Sequence, residues 1–491
     1  ANMGAWLSPV APLMGTGNFF KNVQANYATP AIEVVTKCLV TNTTPVSAYR
    51  GAGRPEGNYF MERLIEPYAA ASGSEYDGGE FTALLNETLA RADVAGFPAR
   101  RAESEARGML RGLGIGNFLE CTAPPTKEQG GIRFEKDGAV TIITGTLDYG
   151  QGHWSSFAQV LHQQLGIPFA SIRLLQGDSD QLVAGGGTGG SKSVMASGAA
   201  IIEASAKVVE KGREAAAFFL ETAAADIEFE PHADGGEGRF LIAGTDRGLG
   251  IMELAARLHA QDALPEDVPP ALDVTHVFDQ APQAYPNGCH VCEVEVDPET
   301  GIARIDRYLA VNDFGVQVNP LLVAGQAHGG IAQGIGQALM EHVAFGEDGQ
   351  LLSGSYMDYA IPRAVDVFGT VVNPMIVDGQ VHGGVAQGIG QALLENCVYD
   401  EDSAQLVSGS FVDYTMPRAD DLPTLAVDYV VTPCPHNPLG AKGCGEAGCA
   451  GSLPAVMNAL VDALRPLGIT HLDMPATPER VWRAIAESRP M

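Results

Sequence analysis

The stretch Gly185-Gly186-Gly187-Thr188-Gly189-Gly190-Ser191-Lys192-Ser193 opens a long helix predicted at Val194–Thr222. Glycines allow a ligand to approach the backbone closely, and the N–H groups of a helix N-terminus attract anions. The stretch also offers three hydroxyls and one lysine, but it matches neither G-x-x-x-x-G-K-[ST] nor G-x-G-x-x-G in the required setting. It therefore predicts a phosphate-type site of unassigned class, with a plain helix N-terminus as the alternative.

Two further glycine-rich turns have a similar character. Tyr149-Gly150-Gln151-Gly152 lies between a predicted strand and a predicted helix, so it can present N–H groups and the Gln151 amide to an anion, or it can be a structural turn. Ala48-Tyr49-Arg50-Gly51-Ala52-Gly53-Arg54-Pro55-Glu56 places two arginines around a tight turn. Arginine suits bidentate contact to phosphate or carboxylate, but Arg54 could equally pair with Glu56 or Glu62.

A fourth glycine-rich stretch, Gly440-Ala441-Lys442-Gly443-Cys444-Gly445-Glu446-Ala447-Gly448, holds a single carboxylate among small residues. A glutamate enclosed by glycines can reach a ligand and act as a general base if partial burial raises its pKa. The alternative is that Glu446 caps the N-terminus of the helix that follows.

Hydrophobic periodicity predicts a mixed α and β chain. The predicted helices are Arg100–Leu113, Ser155–Leu165, Val194–Thr222, Ile251–Ala260, Ala455–Leu464 and Pro478–Glu487. The predicted strands are Ala139–Thr144, Ser171–Gln176, Phe240–Ala243 and the hairpin pair Cys289–Asp297 and Ile302–Val311. Alternation along Cys289–Asp297 predicts that Cys289 and Cys292 face opposite sides of the sheet, which argues against a C-x-x-C metal or redox pair.

An internal repeat stands near the C-terminal end. The pattern Asn-Pro, Gly-Gln, His-Gly-Gly and Ala-Gln-Gly-Ile-Gly-Gln-Ala-Leu, which begins at Asn319, recurs from Asn373. Because a solenoid needs about three or more units, two copies indicate a local tandem duplication, with units at 312–364 and 366–419.

Composition excludes several classes of partner. The chain has 491 residues with 30 Lys and Arg against 59 Asp and Glu, a formal charge of −29, so nucleic acid and anionic membranes are not expected to bind. We also expect no apolar run long enough, at about 18 residues, to span a membrane. Eight scattered cysteines favour a reducing, cytoplasmic compartment.

Taken together and in order, these segments resemble the molybdenum-cofactor-binding large subunit of the xanthine dehydrogenase, aldehyde oxidase and carbon monoxide dehydrogenase family. The most specific matches are Ala48–Arg54, Gly150–Gly152, Gly177-Asp178 followed by Gly187–Ser193, the Gly-Gln of the repeat unit, and Lys442–Gly448. The resemblance implies an α+β (mixed α/β) fold of two molybdopterin-binding domains. The first, at 1–125, would be incomplete, because family members carry several hundred residues ahead of this point, and the second would span 126–491.

The resemblance also implies site residues and a reaction. The cofactor would be molybdopterin cytosine dinucleotide, held by Arg50, Gly150, Gln151, Gly152, Thr188, Ser191, Ser193 and one of Gln326 or Gln380. Glu446 matches the catalytic glutamate, and Ala52, Gly189 and Gly190 match the substrate pocket; no protein metal ligand is implied. The reaction would be oxidative hydroxylation of an aldehyde or N-heterocycle carbon by water, with hydride transfer to molybdenum.

Departures from the family pattern refine these expectations. Gly51-Ala52-Gly53 lacks the cysteine that holds copper in carbon monoxide oxidising members, and it lacks the aromatic residue of xanthine-type members. The second repeat copy is closer in sequence to the family pattern than the first. We therefore expect Gln380 to face the cofactor and Gln326 to belong to an inserted unit packed outside the cofactor site. A 2Fe-2S subunit and an FAD subunit are the expected partners in a hetero-oligomer. A non-catalytic remnant or assembly module that keeps the fold without cofactor is the alternative.

Overall fold

The computed structural model describes residues 14–23, 32–40, 48–65, 80–123, 127–232, 236–279, 283–346, 350–355, 358–362, 425–435, 437–474 and 476–488. The second repeat unit, including Gln380, lies outside these residues.

Helices and strands alternate along the described chain. The main helices are α1 (Arg54–Ile65), α2 (Phe81–Arg91), α3 (Phe97–Ala106), α4 (His153–Leu165), α5 (Ser193–Leu220), α6 (Ile251–His259), α7 (Pro320–Leu339), α8 (Ala447–Leu464) and α9 (Pro478–Ser488). The strands are β1 (Leu110–Leu119), β2 (Glu128–Phe134), β3 (Val140–Ile143), β4 (Ile172–Leu175), β5 (Ile227–Glu230), β6 (Arg239–Ile242), β7 (Gly248–Gly250), β8 (Val274–Phe278), β9 (Asn287–Val296), β10 (Ala303–Asp313) and β11 (Leu425–Val430).

Within the described residues these strands form three sheets. The first has the order β1-β9-β10-β11, antiparallel except for the parallel pair β10 and β11. The second has the order β4-β3-β2-β8, with β3 and β4 parallel. The third is the small antiparallel sheet β5-β6-β7. The expected mixed α and β fold is confirmed.

Two large hydrophobic clusters hold these layers together. One packs α4, α5 and α6 against the second and third sheets, around Phe157, Ile201 and Phe240. The other packs α7, α8 and α9 against one face of the first sheet, around Val294 and Leu460. Each sheet thus covers its apolar face with helices, as layered domains require.

The hairpin of β9 and β10 has the predicted antiparallel pairing, and its turn closes where Gly301, with a φ of +74°, donates to Asp297 O at 2.8 Å. Cys289 and Cys292 are both buried, but Cys289 packs with Leu84 of α2, whereas Cys292 belongs to the cluster around α8. The prediction that the two thiols face opposite sides of the sheet is confirmed.

The predicted helix Arg100–Leu113 is wrong in its second half. Helix α3 ends at Ala106, Gly108 takes a left-handed φ of +79°, and the chain then enters β1. The reason lies in tertiary packing. Cβ atoms at Gly112, Gly114 and Gly116 would collide with the backbone of α8, so the alternate glycines of β1 let the helix lie directly on the strand.

We predict that Gly114→Ala destabilises the protein by about 1–3 kcal/mol, because the added methyl overlaps Ala455 O and Ala459 N, which are backbone atoms of α8 and cannot rotate away. Urea denaturation measures the loss. The control is Gly325→Ala in α7, where a Cβ meets nothing within 4 Å and should leave stability equal or slightly higher. Equal stability of the two variants would contradict the close packing.

Helix α8 corrects another expectation. The 21 residues Ala447–Leu467 are long and apolar enough to cross a membrane by composition, so the expectation that no such run exists is wrong. In the fold, however, 94% of that apolar window is buried inside the protein, where it contacts β1, α7 and β9. Its composition is that of a core helix.

Candidate active site

All four glycine-rich loops meet at one cavity of about 580 Å³. The arginine loop contributes Arg50, and the turn before α4 contributes Tyr149 and Gln151. The segment that opens α5 contributes 188–191, 193 and 194, and the loop before α8 contributes 441–446. The chain after β10 and the part of α7 up to Gln333 complete the wall. Segments almost 400 residues apart in sequence are therefore brought together by the packing of α8 and α5 on their sheets.

The loop before α5 contacts the loop before α8 directly. Ser191 takes a left-handed φ of +59°, and its Oγ accepts a hydrogen bond from Glu446 N at 3.1 Å. A side chain on Gly443 would overlap the Ser191 backbone, so glycine is required at that crossing. Thr188 and Ser193, both expected to bind cofactor, join their hydroxyls at 3.2 Å on the cavity wall.

The turn before α4 was open to two interpretations, a site for an anion and a structural turn. Its backbone N–H groups donate to a carboxylate of the chain itself, Asp148: Oδ1 accepts from Gly150 N at 2.8 Å and from Gly152 N at 3.3 Å, and Oδ2 accepts from His153 N at 2.9 Å. Gln151 and Tyr149 line the cavity, whereas Gly150 and Gly152 lie outside its described lining. Asp148, which sequence reasoning missed, is the residue directly before this turn.

The arginine loop runs through three left-handed residues, Gly51, Ala52 and Gly53, with φ of +99°, +47° and +98°. This tight turn points Arg50 across to α7 and α8, where its guanidinium donates to Gln326 O at 3.0 Å, to Gln326 Oε1 at 3.1 Å, and to Gly445 O. Ala52, expected in the substrate pocket, lies outside the lining formed by the described residues, while Gly189 and Gly190 are part of it.

Gln326 corrects a prediction. It was expected in an inserted unit packed outside the site. It lines the cavity together with Gln151, and its Oε1 accepts a hydrogen bond from Arg50. The expectation for Gln326 is therefore wrong. Helix α7 follows directly from β10 through Asn319, whose Oδ1 accepts from Leu322 N at 3.2 Å as an N-cap, and this short connection brings Gln326 to the site.

Glu446 stands at the N-cap position of α8 but does not cap it with its side chain. Its carboxylate turns to the arginine loop instead, where Oε1 accepts from Gly51 N at 3.2 Å and Oε2 forms an ion pair with Arg54. The capping alternative is wrong. The side chain of Arg54 is 4% exposed and that of Glu446 is 15% exposed, so this ion pair is largely buried, and it joins residues 392 positions apart in the chain.

A buried ion pair and a buried carboxyl group near the site escaped sequence reasoning. Lys442 forms an ion pair of 2.8 Å with Asp313 at the end of β10, and both side chains are almost fully buried. Glu120, just after β1, is completely buried, and burial together with the negative charge of Glu446 raises its pKa to about 8. The available signal for Glu120 was a lone carboxylate inside the apolar stretch Phe118–Cys121.

The cavity fits a bulky, polar, anionic cofactor. A Cβ at Gly189 would meet nothing within 4 Å, so the backbone of this loop faces open space, and amide and hydroxyl groups converge from Gln151, Gln326 and Ser193. Arg50 adds a cation to the lining of this cavity in a strongly acidic chain. Such a donor set suits a pterin with phosphate groups.

Comparison with known proteins agrees with this donor set. Two models of the molybdopterin cofactor-binding domain match the chain, one over residues 1–76 and the other over 87–368 and 364–423. The chain is 30% identical to the carbon monoxide dehydrogenase large chain of Hydrogenophaga pseudoflava, over 99% of this chain and 58% of that one. It is 29% identical to the nicotine 6-hydroxylase large subunit of Paenarthrobacter nicotinovorans, over 93% of this chain and 53% of that subunit.

Solved structures give the same result. Reconstituted carbon monoxide dehydrogenase from Oligotropha carboxidovorans superposes with a TM-score of 0.76 at 26% identity, over 99% of this chain and 58% of that one. Quinoline 2-oxidoreductase from Pseudomonas putida 86 gives 0.74 at 26% identity, over 100% of this chain and 59% of that one. The chain thus spans less than two thirds of the length of these relatives. It belongs to the family of molybdopterin cofactor-binding domains found in the large subunits of molybdenum hydroxylases.

Proposed function

We propose that this chain is the catalytic large-subunit segment of a molybdenum hydroxylase that binds molybdopterin cytosine dinucleotide and hydroxylates a substrate carbon with oxygen from water. The observation that carries the proposal is the meeting of four loops and one carboxylate, Glu446, at a single cavity. When bound, the molybdenum cofactor supplies the redox centre that takes two electrons from the substrate.

The site residues fall into two groups, those that would bind the cofactor and one that would accept a proton. Gln151, Thr188, Ser193 and Gln326 would hold the cofactor through amide and hydroxyl contacts, and Arg50 would keep Gln326 in place. Gln380 stays a candidate for the same role. Glu446 is the general base: Arg54 engages Oε2, which leaves Oε1, weakly held by Gly51 N at 3.2 Å, to accept a proton.

The preferred substrate class is an N-heterocycle, with an aldehyde second. Two relatives carry N-heterocyclic substrates, nicotine and quinoline, in their names. Copper-dependent oxidation is not proposed, because the arginine turn carries Ala52 and no thiolate. Since the relatives are named as large chains or large subunits, we propose a hetero-oligomer with a 2Fe-2S subunit and an FAD subunit. A cytoplasmic location completes the proposal; the seven described cysteines are free thiols.

The test is to purify the chain with and without the two partner subunits and to measure molybdenum content, cytidine monophosphate released by acid, and dye reduction driven by N-heterocycles and aldehydes. We expect molybdenum and cytidine monophosphate in equal amounts, and dye reduction that depends on substrate. If neither preparation binds molybdenum, the enzyme proposal fails and the fold serves as a non-catalytic assembly module.

A further inference from the structure

Glu120 lies behind the cavity and has an unusual environment. Its backbone N–H donates to Pro286 O at 2.9 Å, which fixes the chain at the end of β1, and its side chain is completely buried. No hydrogen bond of regular geometry reaches either carboxylate oxygen within the described residues, and the Ser191 hydroxyl and the Glu446 carboxylate lie beside them. An ionised carboxylate buried without donors costs several kcal/mol, so a neutral acid is strongly favoured there.

The charged and titratable groups around Glu120 explain why it lacks a counter-ion. Glu446 and Arg54 both face it, together with the Ser191 hydroxyl. Arg54, however, is already engaged by Cys121 O at 2.8 Å, by Gly51 O at 3.2 Å and by Glu446 Oε2. The neighbouring thiols Cys121 and Cys444 also face Glu120, with Lys21 on the side of Cys121 and Arg50 on the side of Cys444.

We propose that Glu120 and Glu446 form a carboxylic acid–carboxylate pair that shares one proton, which Glu120 keeps so that Glu446 stays ionised as the base. Glu120 is a positioning residue in this pair, because it acts through Glu446 and does not line the cavity. Two carboxylates against the single guanidinium of Arg54 carry one negative charge too many for a buried site, and one proton removes it. The catalytic consequence rests on the proposed function, whereas the pairing rests on the chain alone.

The pairing has a definite effect on stability. Burial and Glu446 raise the pKa of Glu120 from 4.5 to about 8. Between these two values the folded protein binds more protons than the unfolded chain, so folding stability falls as pH rises and levels off above about 8. Glu120→Gln cannot titrate, and its folding equilibrium constant should therefore rise relative to the wild type by up to about tenfold per pH unit in that window.

The experiment is infrared difference spectroscopy of the purified holoenzyme between pH 6 and 10, in the region where protonated carboxylic acids absorb. We expect the wild type to show one acid band that is lost with a midpoint near pH 8. The band should be absent in Glu120→Gln, and in Glu446→Gln its midpoint should move to lower pH, because the negative neighbour is gone. Where the enzyme turns over, the alkaline limb of kcat/KM should also change in Glu120→Gln, an effect that packing alone would not produce.

A band that persists in Glu120→Gln, or a midpoint that does not move in Glu446→Gln, would overturn the pairing. If Glu120→Gln does not fold, the wild type and Glu446→Gln still decide the question. If the chain binds no molybdenum, the proposed function fails, but the infrared and stability measurements still test the pair, because both use groups of this chain only.

Discussion

Glu446→Gln is expected to lower turnover by roughly 10² to 10⁴-fold, because the amide keeps the shape of the carboxylate but cannot accept the proton. The backbone contact from Glu446 N to Ser191 Oγ at 3.1 Å does not involve the side chain, so the loop should keep its place. Molybdenum content and cofactor content should therefore equal those of the wild type. Dye reduction under saturating substrate, normalised to bound molybdenum, measures the effect.

The matched control is Glu253→Gln, the same change on the exposed face of α6, where Glu253 pairs with Arg257 outside the cavity lining. It should retain wild-type turnover. An active Glu446→Gln variant would remove Glu446 from the role of base. Loss of activity accompanied by loss of molybdenum would instead assign Glu446 to the structure of the loop.

Lys442→Met should destabilise the protein by about 3–5 kcal/mol, because it removes the cation from a buried ion pair. Asp313 is almost fully enclosed: Oδ2 contacts Lys442 Nζ at 2.8 Å, and Oδ1 accepts from Gly315 N at 2.9 Å and from Thr432 N at 3.1 Å. Without the lysine its charge stays buried and uncompensated. Since the pair ties the loop before α8 to the end of β10, cofactor retention should fall as well.

Urea denaturation at pH 7 measures this loss, with two comparison variants. Arg173→Met breaks the exposed Arg173–Asp137 pair, whose side chains are 60% and 55% exposed, and should cost at most about 1 kcal/mol. The double variant Lys442→Met with Asp313→Asn should recover part of the loss, because both charges are then gone. A Lys442→Met variant as stable as Arg173→Met would show that the buried pair contributes little.

Local signals predicted the elements that depend on local structure. Strand β9 alternates strictly enough to place Cys289 and Cys292 on opposite faces, and the turn before β10 needs only Gly301 at positive φ. Helix α8 begins at Ala447, whereas the sequence predicts it only from Ala455, because Gly448, Gly451 and Pro454 are poor helix formers and hide its first part. Burial against β1 and α7 stabilises that first part, and periodicity cannot report it.

The sequence by itself determined which four loops line the cavity, since glycines, hydroxyls and a lone glutamate are chemical properties of short segments. Only the tertiary structure decided which side chains contact one another. In the fold Arg54 pairs with Glu446, Arg50 contacts Gln326, Asp148 accepts the N–H groups of the turn before α4, and Glu120 lies next to Glu446. The physical reason is that ion pairs and pKa values depend on distance and burial, and these are set by how β1, α5 and α8 pack rather than by spacing along the chain.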